Sequence, residues 1–391
     1  MQIALTGVTA LQAWRAIRSG KCPNARVGQR IDLPVPNPAP AKRWTAKCLD
    51  LEFLGIDTSA LDPKRPIHVA TPDAKKRIRT AGVDCTTYTK LPAGSFIDVG
   101  HGVALACPEL VFIELGAHTR PEVQLLAGYE FCGGFSRDAA SPRDGDVTYN
   151  VAPITTAEKI AAFLAECKYV PGSDSAREVL PRLRNNAWSP TEAIVAMLAV
   201  TDATELGYGL GDVTLNQRIH VGPDATRVPD ILFSGTHVGL NYDGAVHFGL
   251  QDVVAAAGTD HERDAVTQAR GRIVGDKRRS RDLLAAGYTV LPVTSEDLYE
   301  KGGLDAVMLQ VMDLIGRETG EPFTLQRNLL NRPKLAKRRQ RLIWSLLPGR
   351  RGEDLLCELY AEDQRSVREF IAAWKAAFGS QDPQRSSRQA N

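Results

Sequence analysis

The sequence predicts an α/β protein. Its centre is an αβββαβ core, a mixed sheet flanked by helices, with a smaller α/β domain before it and a helical C-terminal extension after it. Three observations carry that expectation. Ser189-Pro190-Thr191-Glu192 opens a helix through IVAMLAV, because Ser accepts hydrogen bonds at an N-cap and Pro suits the first turn. Three β-rich runs follow, Thr214–Val221, Val228–Phe233 and His237–Tyr242, the last two joined by a turn at Ser234-Gly235. A charged stretch from His261 to Ala286 then reads as helix, stopped by Gly287 before the apolar strand Tyr288–Val293.

The other segments follow from periodicity and turn chemistry. Leu11, Trp14 and Ile17 share a helical face, and LPVPNPAP from Leu33 to Pro40 reads as an extended linker. Residues 1–50 are therefore expected to be an arm, with Arg15, Arg18 and Lys21 on a solvated basic surface. In 51–175, Ile67–Ala70 reads as a strand and Ser95–Cys107 as a hairpin about Gly100. Helices start at Pro108 and Pro121, and Thr155-Thr156-Ala157-Glu158 reads as a capping box. The αβββαβ unit occupies 176–320, basic helices 321–379, and a polar tail without expected order 380–391.

Composition narrows the class. Across 391 residues, 43% hydrophobic and 24% charged content is that of an ordinary globular protein. A net charge of +2 does not announce a nucleic-acid binder, but Thr324–Arg351 holds nine Lys or Arg and no Asp or Glu. The seven cysteines are odd in number and include no C-x-x-C pair, which argues against a disulfide framework or a structural zinc site. Together with the lack of a signal-peptide pattern or a membrane-length apolar run, this leads to an expected cytoplasmic location.

The hairpin about Ser234-Gly235 carries the chemistry. Alternation puts His237, Gly239, Asn241 and Asp243 on one face and Val238, Leu240 and Tyr242 on the other. Asp230 joins the polar face from the neighbouring strand, and His247 follows. Acidic and amide side chains on a half-buried sheet face point to a hard cation. His101, His118 and His220 have no metal-ligand spacing and read as structural.

This order and these residues resemble the PD-(D/E)XK, restriction-endonuclease-like nucleases. More narrowly, they resemble the very-short-patch-repair-like endonuclease domain found in many actinobacterial proteins. The matching pieces are Ser189-Pro190-Thr191-Glu192, Pro229-Asp230, Asp243-Gly244-Ala245-Val246-His247, Asp276 with Arg279, and Gly287 with Val290-Leu291-Pro292-Val293-Thr294. The region with RPIHVAT and the helix at Pro108 resembles the middle domain of abortive-infection-type antitoxin regulators.

The resemblance implies DNA as substrate and Mg²⁺ or Mn²⁺ as cofactor, held by Asp230, Asn241, Asp243 and Glu192. His247 would assist as general acid or base. Position 241 is normally Glu in that family, and Asn241 brings no charge. Lys277 and Arg279 would touch phosphates, as would Lys334, Lys337, Arg338, Arg339 and Arg341 in the basic segment. Duller alternatives stand beside these. Glu192 also fits a capping box, Lys277 and Arg279 fit a solvated helix face, and the basic segment fits a face docked on acids near Glu353 or Glu362. The function implied is a Mg²⁺-dependent DNA endonuclease or nickase. The alternative is a catalytically degenerate DNA-binding regulator or antitoxin with a cognate toxin.

Overall fold

Ile3, Ala4 and Leu5, three residues in front of an amphipathic helix, form a strand in the interior of the first sheet. The computed structural model describes residues 2–37, 44–45, 48–58, 61–222, 225–243 and 262–378. β1 (Ile3–Leu5) leads through Thr6 into α1 (Gly7–Arg18), and β2 (Arg30–Ile31) follows. β3 (Ile67–Thr71), β4 (Val83–Thr87), β5 (Phe96–Asp98) and β6 (Val103–Ala106) complete a six-stranded sheet ordered β2-β5-β6-β1-β3-β4. β1 runs parallel to β6 and antiparallel to β3, and its three side chains are fully buried.

The arm expected over residues 1–50 is therefore corrected: residues 3–18 belong to the first α/β unit. Arg15 and Arg18 are corrected with it. Arg15 clasps the buried Glu130 through Nε and Nη2 at 2.7–3.1 Å. Arg18 donates to the carbonyls of Glu130 and Gly133 at 2.7 and 2.8 Å. Both hold α1 to its neighbours.

α2 (Pro108–Leu115) is buried along its whole length, and α3 (Pro121–Phe131) packs beside it. Pro108 and Pro121 sit in the first turns, as the sequence predicts. β7 (Phe135–Ser136) and β8 (Thr148–Tyr149) pair as a small hairpin, followed by α4 (Ala157–Glu166) and α5 (Ser173–Val179). The α4 cap is Thr156, which accepts from Lys159 N–H, whereas Thr155 donates its hydroxyl to Glu109. The expected box pairing Thr155 with Glu158 is thus corrected to a single cap at Thr156.

The second sheet follows α6 (Pro190–Val200). Its strands are β9 (Val213–Leu215), then, after a separate ribbon of β10 (Ile219–His220) and β11 (Thr226–Arg227), β12 (Ile231–Phe233) and β13 (Val238–Asp243). α7 (Glu262–Ala285) crosses over to β14 (Thr289–Thr294), and the sheet order is β14-β13-β12-β9. β9, β12 and β13 are antiparallel, while β14 lies parallel to β13 from Val238↔Thr289 to Asp243↔Thr294. A parallel pair needs a crossover, and the long helix supplies it. The single strand expected over Thr214–Val221 breaks at Asn216, whose φ of 50° is left-handed. The α/β class is borne out.

The C-terminal helices are α8 (Ser295–Tyr299), α9 (Gly303–Thr319), α10 (Thr324–Leu330), α11 (Pro333–Leu346) and α12 (Arg350–Phe378). Among the described residues no helix is long and apolar enough to cross a membrane. The tail from residue 380 lies outside the described residues.

The basic segment divides on α11. Arg339 is fully buried, clasps Asp305 at 2.7 and 2.9 Å, and lies 5.4 Å from the centroid of the Tyr208 ring. It is corrected from phosphate contact to core ion pair. Arg341 donates to Glu358 and Glu362 at 2.9 Å each, so the docked alternative describes it. Arg338 lies 3.8 Å from Asp363, and Lys334 and Lys337 are exposed. Removing one partner of a buried pair strands the other charge. Arg339→Met is therefore expected to cost about 3–5 kcal/mol in urea unfolding. Lys334→Met should stay within about 0.5 kcal/mol. Equal midpoints for the two variants would contradict this assignment.

Candidate active site

Three polar residues stand in line at one end of the second sheet. Ile231 pairs with Leu215 on one side and Leu240 on the other, so the next residues, Asn216, Asp230 and Asn241, face one another. Asn216 N–H donates to the Asp230 carbonyl at 3.0 Å. Asp230 N–H donates to Asn241 Oδ1 at 3.1 Å, and Tyr242 N–H donates to Asp230 Oδ2 at 2.6 Å. Asn241 is 6% exposed, so its amide is committed to holding the strand ends together.

Glu192 reaches this line from the first turn of α6. Ser189 caps that helix, its hydroxyl accepting from Glu192 N–H at 3.1 Å. Glu192 Oε2 accepts from Trp188 N–H and from Asn216 Nδ2, both at 2.9 Å. The cap and the site are therefore served by the same residue. Asn216 Nδ2 also donates to the Asn186 carbonyl at 2.8 Å, which fixes the amide plane. Asn216 Oδ1 is buried and, among the described residues, accepts no hydrogen bond. A buried carbonyl oxygen without a partner is costly and calls for a ligand or a function.

The electrostatics follow from this crowding. Burial, and after it the negative charge of Asp230, push the Glu192 carboxyl up to about 7 against the hydrogen bonds from Asn216, Trp188 and Ser189. Two carboxylates sharing a partly dry site resist double ionisation. The same pair would welcome a cation or a proton.

Asp243 ends β13, two residues beyond Asn241. Arg279 on α7 stands 3.8 Å from Asp243 and 3.5 Å from Asp276, bridging the helix to the strand. Lys277, two residues away on α7, is exposed. His247 and Gly244 lie outside the described residues. The structure thus brings together Glu192, Asp230 and Asn241, and turns Asp243 toward Arg279. Among the described residues no group of three or more His, Cys, Asp or Glu is gathered to hold a metal. Any cation here would draw on amide oxygens as well as Asp230 and Glu192.

No family model, curated protein or solved structure matches the chain. The site therefore rests on its own geometry.

Asn216 is the residue that sequence reasoning misses. Its signal is positional: it follows the last apolar residue of β9, opposite Asp230, where a ligand set would continue across the sheet.

A carboxyl raised in the folded state from 4.5 to about 7 favours the protonated form. The stability tied to it is fully present below the unfolded value and is lost as pH rises through the folded one. Glu192→Gln should therefore lose less stability than the wild type between about pH 5 and about pH 8. Thermal melts across that range test this, and parallel pH profiles would contradict the Glu192–Asp230 coupling.

Proposed function

We propose that the chain is a divalent-cation-dependent phosphodiesterase acting on DNA in the cytoplasm, an endonuclease or nickase of restriction-endonuclease-like architecture. The observation that carries this reading is the Glu192–Asp230 pair, with Glu192 pushed up to about 7 beside the unpartnered Asn216 Oδ1. Support comes also from the order α6, β9, β12, β13, α7, β14, with β14 parallel to β13.

The donor set suits Mg²⁺ or Mn²⁺. Magnesium is usually held by one or two carboxylates and completed by water and substrate phosphate. Asp230, Glu192 and Asn216 Oδ1 would hold it, with Asn241 Oδ1 contributing through its second lone pair. When bound, the cation would activate water and offset charge on the phosphoryl group. Asp230 is oriented by Tyr242 N–H, and Glu192 by Trp188 N–H and Asn216 Nδ2. Glu192 near 7 would yield its proton as the cation arrives. Lys277 and Arg279 on α7 would meet phosphate, Arg279 from beside Asp243.

A second reading is favoured by one observation. Asn241 supplies no charge, and its oxygen already ties down Asp230 N–H. In that reading the site is disarmed, and the chain is a DNA-binding regulator or antitoxin with a cognate toxin.

Supercoiled-plasmid nicking with Mg²⁺ or Mn²⁺ separates the two. The nuclease reading expects metal-dependent nicking that rises through about pH 7, vanishes in Asp230→Ala and increases about 10- to 100-fold in Asn241→Glu. Wild type that never cuts, with activity gained only in Asn241→Glu, would establish the disarmed site.

A further inference from the structure

Large aromatic side chains stand open around the first turn of α6, beside the carboxylate pair. Trp188 is 47% exposed, Tyr149 54% and Tyr299 51%, with Tyr242 half-buried among them. Most exposed aromatics are single and mobile; Trp188 is held in place. The Trp188 indole N–H donates to Asn186 Oδ1 at 2.9 Å, and its backbone N–H is the one that holds Glu192. Its ring lies against Gly134, where an added Cβ would sit 3.5 Å from Trp188 Cδ1. Gly134 N–H bonds the Ala187 carbonyl at 2.7 Å, and the Gly134 carbonyl accepts from Val151 N–H at 3.1 Å.

The next residue, Phe135, pairs with Tyr149. The β7–β8 hairpin therefore carries Tyr149 to the same rim as Trp188. Burial and the charge of Glu192 both raise the Tyr149 phenol, as expected for a ring near that carboxylate. Burial raises the Tyr242 phenol, and Thr191 in the first turn of α6 lies close enough to oppose that shift.

We propose that Trp188 and Tyr149, with Tyr242 and Tyr299 behind them, form a stacking platform for unpaired bases, so that the substrate is single-stranded or locally opened nucleic acid. This rests on the nuclease reading for its chemistry, but it is tested by binding alone. Rigid aromatic faces stack against unpaired bases and are indifferent to sequence. Bases inside a duplex stack on one another and offer no free face. The backbone would be met from α7, where Arg279 stands beside Asp243. An indole held beside Glu192 would keep the phosphodiester of a stacked nucleotide near the carboxylate pair.

The test is fluorescence anisotropy in EDTA with one labelled oligonucleotide, single-stranded or annealed to its complement. The single strand should bind at least about tenfold more tightly than the duplex. Trp188→Ala and Tyr149→Ala, on separate elements and checked for unchanged melting, should each weaken single-strand binding about 5- to 100-fold. Trp188→Phe should keep most of it. Equal or tighter duplex binding, no binding of either form, or alanine variants with wild-type affinity would overturn the platform. Single-strand preference without any metal-dependent cutting would leave the platform standing and remove the nuclease reading. Duplex preference with cutting would do the reverse.

Discussion

Beyond Ile231 and Leu240, the last residues that pair β12 with β13, two side chains continue the ladder. Asn241 Oδ1 accepts from Asp230 N–H at 3.1 Å, and Asp230 Oδ2 accepts from Tyr242 N–H at 2.6 Å. This reciprocal clamp sets the direction of the Asp230 carboxylate, and the rest of the site depends on it. Asn216 is aligned because its N–H bonds the Asp230 carbonyl, and Glu192 is aligned because Asn216 Nδ2 bonds its carboxylate. Hydrogen bonds in such a chain reinforce one another in a poorly solvated site. The same clamp explains why an amide at 241 is tolerated by the fold: the position needs an acceptor for a backbone N–H, and Asn supplies one.

What the clamp does not provide is charge. Among the described residues Asp230 and Glu192 are the carboxylates gathered at the sheet end, and burial, with their mutual repulsion after it, lifts Glu192 to about 7. Asp243, which would have added a third negative charge, is drawn toward Arg279. A site of this kind is poised between proton and cation. Its occupancy by a cation would depend on pH near neutrality, and it would lean on substrate phosphate to complete the shell.

Much of this was legible in residue order. The turn at Ser234-Gly235, the Ser189 cap and the helix ending at Gly287 stand where local chemistry puts them, and they deliver α6, the strands after it, α7 and β14 in that order. Asp230 facing Asn241 follows from alternation once the hairpin register is known. Three features were hidden for physical reasons. β1 is only three residues long, and its alternation is lost beside the stronger helical pattern of α1. Asn216 looks like the middle of a strand until its left-handed backbone breaks that strand. Arg339 sits in a run of basic residues, although helical spacing puts it on the buried stripe of Leu342, Ile343 and Leu346. Charge density suggested a surface, and periodicity would have suggested a core.

The central claim is that Glu192 and Asp230 form one site in which a divalent cation competes with a proton. Titration of Mn²⁺ into the full chain, followed by electron paramagnetic resonance, tests it without reference to any substrate. With Glu192 near 7, affinity should rise about tenfold between about pH 6 and about pH 8. That rise should disappear in Glu192→Gln. Mn²⁺ binding that is absent, or that ignores both the pH change and the substitution, would contradict the account.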